Sequence, residues 1–505
     1  GKNKTNNPLC FLKAAKSERY FMSIKKNFFY SSFLTLANYI FPLLTFPYVS
    51  RILGADSIGK YNFIDNIIQI LIIMSMLGIG TVGVREIAQT KTSQERLNKS
   101  FTALLAFNAL STFIAIILLL ILLYVVPKFT DYRDLLIVGG LKLLSTFLLI
   151  DWLYRGLEDF KFITQRTLII RILFVISVFL FVKNKEDYTL YYFLIVFSIT
   201  INAIINLLYS RHHIRLDFDF QEMKRIASPI LVLGAYSILA WLYNSFSTSF
   251  LGFVSTDEQV GYYSTATKLY TIFLSIITSF TTVMLPRLSQ LVSQNHFKEF
   301  QQRVNKSLNI ILTVSIPLAI FAIFFATDII RVIAGKGYEG AIAPMMITMP
   351  ILIIVSIEQI LIIQILTPLK KDREVMLCTA WGAVLGIILN ILLVPHMLCK
   401  GAAVCWLISE LMVMSSAIYF IHNKTSISLP FNLLKQRFIP LFIISICSYF
   451  MHITFSDIHV LIRLILSALI MVFTTYSVEK FLVKNPIVHE IDNWTINLIK
   501  NKWKK

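Results

Sequence analysis

Seven of the ionisable side chains that fall in long apolar stretches of the chain could do chemistry there. Lys142, Arg171 and Lys268 are cations; Asp65, Asp151, Glu358 and Glu410 are acids. A charged side chain at the centre of a bilayer costs ~2.5–3.5 kcal/mol on insertion scales, so each is a functional candidate by default. The cations suit an anionic, phosphate-type group. Such a group cannot enter hydrocarbon bare, and cationic donors can replace its lost water. Arginine offers a planar fork and lysine a movable point charge. A buried carboxylate can alternate between a protonated and a bare form. Glu358 and Glu410 are therefore the candidates for coupling to an ion. The competing structural roles are an ion pair with a buried acid, or a stem that snorkels to the interface. Lys142, near the end of its run, is open to the second.

The elements that must carry these residues are helices across a membrane. The apolar runs are 28–49, 58–82, 100–126, 135–155, 162–182, 188–210, 229–252, 261–284, 307–326, 341–366, 375–394, 400–421, 438–455 and 460–481. A spanning helix needs ~20 mostly apolar residues, and each run is long enough. The 505 residues are 56% hydrophobic and only 15% charged, with a mean hydropathy of +0.70. An ordinary globular chain is roughly 45–50% apolar and about 25% charged. This excludes a soluble enzyme or a disordered chain. Pro42, Pro47, Pro317 and Pro350 fall inside runs; a helical bundle tolerates them because neighbours re-satisfy the backbone. The alternation of a β-barrel is absent. The expected class is an all-α polytopic membrane protein with fourteen transmembrane helices.

The net charge of +19 invites a nucleic-acid reading until the positions are inspected. With Met22 on the inside, the eight inner segments hold 29 Lys and Arg and the seven outer loops hold 10. That is the bias of cytoplasmic loops. It places both termini in the cytoplasm and removes the need for nucleic acid. Cys10, Cys378, Cys399, Cys405 and Cys447 have no ligand or disulfide spacing, and no metal site or cofactor is expected. Residues 1–21 are polar and basic and read as an upstream extension. The tail after Leu482 carries an apolar stripe of Ile491, Trp494 and Leu498 before Lys500, Lys502, Lys504 and Lys505. It suits the anionic inner leaflet.

A long-period echo runs through the sequence. Leu53-Gly54 returns as Leu251-Gly252, Ile58-Gly59 as Val260-Gly261, and Thr81-Val82…Arg85…Ala88-Gln89 as Thr282-Val283…Arg287…Ser289-Gln290. The offset near 200 residues equals six spans. An even number makes the two copies insert the same way up, with a site expected between them. The expected division is an N-terminal lobe at 22–228, a C-terminal lobe at 229–421, accessory spans at 422–482 and a basic cytoplasmic tail at 483–505. The echo aligns Lys268 to within a residue or two of Asp65 and Asn66, which would face one another across the pseudo-two-fold axis.

The echo and its flanks also carry a family resemblance. Phe46–Asn62 (Phe-Pro-Tyr-Val-Ser-Arg-Ile-Leu-Gly-Ala-Asp-Ser-Ile-Gly-Lys-Tyr-Asn), Gly83–Ala88, Tyr154–Lys161 (Tyr-Arg-Gly-Leu-Glu-Asp-Phe-Lys) and Val260–Ser264 resemble the Wzx-type polysaccharide flippases. These form the polysaccharide transport branch of the multidrug/oligosaccharidyl-lipid/polysaccharide exporter superfamily. The resemblance covers about 22–482. It implies two parallel six-helix lobes in a V around a central cavity, with an accessory helix pair that in relatives borders a lipid-tail groove. It implies a substrate of undecaprenyl-pyrophosphate-linked oligosaccharide, moved between leaflets of the bacterial cytoplasmic (inner) membrane. No cofactor is implied; H⁺ or Na⁺ and other glycan assembly proteins are the expected partners. Lys142, Arg171, Lys268, Asp65 and Asn66 would then line the substrate path. Arg51 and Arg85, in matching motifs, would stand at its outer and inner mouths. The alternatives are a drug/cation antiporter of the same superfamily, a membrane glycan polymerase or glycosyltransferase, and a non-transporting scaffold. The first would need acids in the first lobe, and the second a large external loop.

Overall fold

In the computed structural model, the backbone is described for residues 8–428, 435–486, 488 and 492. Side chains are described from Ile40 onward within those ranges, except at Asn244 and Thr282. The side chains of 1–21 and the stripe Ile491, Trp494, Leu498 lie outside the described residues.

The described chain is helical throughout. In order it forms α1 (Pro8–Met76), α2 (Ile79–Thr90), α3 (Gln94–Val125), α4 (Arg133–Leu148), α5 (Asp151–Gly156), α6 (Phe160–Phe181), α7 (Tyr188–Ser210) and α8 (Phe220–Val254). Then follow α9 (Asp257–Ser293), α10 (Phe297–Phe324), α11 (Ala326–Ile333), α12 (Ile342–Thr348), α13 (Ile351–Gln359) and α14 (Asp372–Lys424). The last two are α15 (Phe438–Thr454) and α16 (Val460–Ser477).

Eleven described stretches are long and apolar enough to cross a membrane. Two of them, Ile40–Thr90 and Asp372–Lys424, run for 51 and 53 residues. Each is really two crossings. The first is broken at Gly54 (φ 74°, ψ 170°), a conformation that favours glycine, and the second at Leu398 (φ 52°, ψ −130°) just after Pro395. With those two counted double and the shorter α15 added, the described residues supply fourteen helices for crossing a membrane. Pro42 and Pro47 sit within a continuous helix. Nearby hydroxyls turn back on it: Thr45 Oγ1 donates to the Phe41 carbonyl at 3.1 Å and Ser50 Oγ to that of Pro47 at 3.4 Å.

Two compact units form. The first holds residues up to 45 with 67–183 and 187–238; the second holds 46–66, 184–186 and 239–505. The tip of the first hairpin thus groups with the second unit. In the first, α4 packs on α7, α6 on α7 and α2 on α5. Its core joins Ile79, Val82, Phe101, Trp152, Tyr154 and Ile230. In the second, α10 packs on α9, α13 and α15, while α12 lies against α9 and α14. Residues such as Phe113 and Leu180 in the first unit, and Val472 and Phe473 in the second, stay more than half exposed. Lipid tails are their natural solvent.

Each unit repeats one local device. In the first, Gln94 Nε2 donates to Asn98 Oδ1 (3.0 Å) and to the His213 carbonyl (2.7 Å). In the second, Gln301 Nε2 donates to Asn305 Oδ1 (2.9 Å) and to the Ser428 carbonyl (2.9 Å). The start of α3, and again of α10, is strapped to the segment that follows a later helix. The strap extends the sequence echo to side-chain hydrogen bonding.

A membrane-embedded cationic and acidic site

Lys268 lies on α9, where its stem is half-buried. Its Nζ sits 4.3 Å from the centroid of the Phe46 ring, well within cation–π range. The Asp65 carboxylate acts on it electrostatically, and no carboxylate among the described residues is within ion-pairing distance of Nζ. The second unit therefore brings Lys268 and Asp65 into one neighbourhood. Asn66, one residue on, spends its amide on its own helix, donating to the Asn62 carbonyl at 3.1 Å.

The hairpin tip that delivers Asp65 is seated by close backbone approach. A β-carbon at Gly59 would stand 1.7 Å from the Asp257 carbonyl oxygen, and one at Gly261 would stand 1.9 Å from that of Ala55. Only residues without side chains fit. Arg51 belongs to the same tip: its Nη2 donates to the Val332 carbonyl, and Tyr338 Oη donates to the Ser50 carbonyl at 3.2 Å. Arg51 is itself exposed.

The first unit holds the other cations. Lys142 on α4 is only 8% exposed. Arg171 on α6 is half-buried, its Cζ 5.9 Å from the Phe41 ring centroid. Arg85 lies in a charged knot where α2 meets the start of α8. Its Nη2 is 3.4 Å from Glu86 Oε1, while Arg225 Nη2 takes Glu86 Oε2 at 2.5 Å and Glu222 Oε1 at 2.7 Å. Ser100 Oγ adds a bond to Glu222 at 3.0 Å.

Glu358 and Glu410 come together in the second unit. They lie within electrostatic reach of each other, and the hydroxyls of Tyr243 and Tyr270 lie within reach of both. Glu410 is 4% exposed and accepts from Trp406 Nε1 at 2.7 Å. Trp406 in turn packs edge-on against Tyr270, centroids 4.7 Å apart. Glu358 Oε2 is buried without a hydrogen-bond partner among the described residues. The helix under it changes pitch: α13 passes into a π-helical stretch, Ile360–Leu366. Such segments are frequent at functional sites.

Three networks escape the sequence. Asp151 and Arg155 are spaced i,i+4 along the chain, but Asp151 accepts from Arg166 Nη2 (3.1 Å) and Asn206 Nδ2 (2.8 Å), with Arg166 Nη1 also donating to Asn206. The partners lie 15 and 55 residues away, beyond any local pattern. Arg437 pairs with Glu479 and donates to Asn309, and Asn485 closes the ring by bonding Glu479 and Thr313. Arg463 pairs with Asp328. These last two clamps tie α15 and α16 to α10 and α11. Glu479 lies inside the apolar run 460–481, so burial could have flagged it.

Solved structures with this fold are membrane transporters. The protein titled "Lipid II flippase MurJ, inward closed conformation" superposes with a TM-score of 0.71 at 16% identity, covering 90% of this chain and 99% of that one. A multidrug resistance MATE family transporter of the MOP superfamily, in an inward-facing conformation, gives 0.58 at 11% identity over 77% of this chain and 97% of its own. The likeness is one of fold, that of the transporter structures just described. A protein of Escherichia coli (strain K12) named as an O-antigen transporter is 23% identical over 407 residues, 80% of this chain and 98% of its own. The chain belongs to the polysaccharide biosynthesis protein family, whose profile matches residues 24–292; a MatE profile matches 233–392.

Proposed function

We propose that the chain moves undecaprenyl-pyrophosphate-linked oligosaccharide units from the inner to the outer leaflet of a bacterial cytoplasmic membrane by alternating access. One observation carries the reading. In the first unit Lys142 and Arg171 stand on apolar helices, and the acid Asp151 on the same unit is already matched by Arg166. Lys268 adds a third cation. A pyrophosphate head needs such donors where water is scarce. The names of the relatives support the same substrate class. A drug/cation antiporter remains the rival, and it would place unmatched acids where this chain has bases.

The substrate's sugars and pyrophosphate occupy the polar path while the polyprenyl tail stays in lipid. Outward movement of a negative head runs with an inside-negative potential, worth ~2.3 kcal/mol per charge per 100 mV. Coupling to inward H⁺ or Na⁺ falls to Glu358 and Glu410. Two bare carboxylates this close repel, and a cation between them relieves the repulsion. Both termini face the cytoplasm, as the Lys and Arg distribution supports.

The test is surface glycan display in cells lacking the chromosomal copy. Arg171→Ala and Lys268→Ala are expected to abolish display while the protein still inserts at normal levels. Normal display in both variants would refute the assignment. Unchanged drug resistance alongside lost display would exclude the antiporter.

A further inference from the structure

Two helix breaks in the first unit lie side by side. Leu77 (φ 42°) and Gly78 separate α1 from α2, and Ile150 (φ 26°) separates α4 from α5. Positive φ is uncommon for non-glycine residues and marks a held, strained backbone. α2 and α5, the segments beyond the breaks, pack on each other. Between them is a cavity of about 110 Å³ lined by Gly80, Thr146, Ile150, Asp151, Trp152 and Arg155 among others. One water needs only ~10–15 Å³ on this measure, so a larger polar group fits.

The lining is largely apolar and sets two donors, Trp152 and Arg155, beside one carboxylate, Asp151. Trp152 is 3% exposed, and its indole Nε1 is buried with no hydrogen-bond partner among the described residues. Leaving a buried donor unmet costs ~1–3 kcal/mol, so a ligand acceptor is the natural explanation. The Arg155 guanidinium is exposed and has no ion pair or hydrogen bond among the described residues. Asp151 would repel an anion, but its Oδ1 is already taken by Arg166 and Asn206. The Thr146 hydroxyl donates to the Lys142 carbonyl at 2.8 Å. α2 opens at the cavity with no side-chain cap, presenting the positive end of its dipole. Beside it, a β-carbon at Gly80 would meet nothing within 4 Å, so the approach is open.

We propose that this cavity is a phosphoryl-binding subsite, anchored by Arg155 and Trp152, that captures the phosphorylated head of a membrane lipid at the cytoplasmic face. The inference rests on the flippase reading for its preferred ligand: the polyprenyl pyrophosphate arriving from the inner leaflet. An anionic phospholipid presents the same phosphoryl chemistry. Arg155 then makes the first contact, before the deeper cations Lys142 and Arg171.

The experiment uses the full chain in nanodiscs of neutral lipid, with native mass spectrometry reading the binding of three probes: undecaprenyl pyrophosphate, phosphatidylglycerol and inorganic pyrophosphate. Arg155→Gln is expected to weaken undecaprenyl pyrophosphate at least tenfold, Trp152→Phe severalfold, and Arg155→Lys less than Arg155→Gln. Equal thermal unfolding of the variants establishes that folding is intact; where Arg155→Gln unfolds, Arg155→Lys against Trp152→Phe carries the comparison. Arg155-dependent binding of phosphatidylglycerol but not of undecaprenyl pyrophosphate would keep the phosphoryl site and count against the flippase reading. Arg155-dependent binding of inorganic pyrophosphate alone would limit the site to a free anion and overturn its role in lipid capture. Binding of every probe unchanged by Arg155→Gln and Trp152→Phe would overturn the subsite itself.

Discussion

Gly59 and Gly261 hold the two ends of one reciprocal contact. A β-carbon on Gly59 would stand 1.7 Å from the Asp257 carbonyl oxygen, and one on Gly261 would stand 1.9 Å from that of Ala55. The two glycines are the matching positions of the sequence echo, and Ala55 and Asp257 each precede their own copy's glycine by four residues. The repeat therefore packs against itself, and both backbones touch where no side chain can intervene.

Bulk at either glycine should force this seam apart. Overpacking costs typically ~1–3 kcal/mol, so Gly59→Val and Gly261→Val are expected to lower the melting temperature by several degrees. Both should also expose a cysteine placed at Ala55 to a membrane-impermeant thiol reagent. Gly140→Ala is the control, because its β-carbon would meet only Leu119 at an ordinary 3.5 Å. Unchanged labelling and melting in the valine variants would show that the seam yields freely.

The clamp on the accessory helices makes a sharper stability prediction. Arg437 is 5% exposed and Glu479 2% exposed. Removing one partner of a buried pair leaves an uncompensated charge and costs ~3–5 kcal/mol, whereas replacing both by apolar residues is often neutral. Arg437→Met is thus expected to destabilise strongly in a detergent melt, and Arg437→Met with Glu479→Leu to recover most of the loss. A double variant no better than the single would mean that Asn309 and Asn485, not the charge pair, hold the helices.

The paired acids predict a defect in energy coupling and not in substrate binding. Glu358→Gln or Glu410→Gln removes the repulsion that a cation relieves. Uptake driven by an imposed H⁺ or Na⁺ gradient should fall at least tenfold, while downhill exchange of substrate across the membrane persists. Dependence on one ion but not the other in the unaltered protein identifies the partner. Full gradient response in both variants would remove the pair from coupling.

Spans were legible because a crossing leaves twenty apolar residues in a row, and burial in lipid leaves little choice of sequence. Even the split of 372–424 into two crossings shows as Pro395 between two runs. The breaks inside spans were not legible. Leu77 and Ile150 adopt positive φ with no glycine or proline at the position itself, because packing around them imposes it. Side-chain partners were legible only where they were local. Trp406 stands four residues before Glu410, one helical turn, and could have been named. Arg166 as the partner of Asp151, or Asp328 as that of Arg463, requires knowledge of which helices touch. The alignment of Lys268 with Asp65 came from the repeat, which is a statement about three dimensions written along the chain.

The most direct measurement places the purified protein in proteoliposomes with a fluorescent undecaprenyl-pyrophosphate-linked oligosaccharide and follows its arrival in the opposite leaflet by quenching. The unaltered chain is expected to translocate the lipid, and Lys268→Ala and Arg171→Ala to slow it at least tenfold with the protein inserted and folded. Translocation at the full rate in both variants would contradict a path built on those cations.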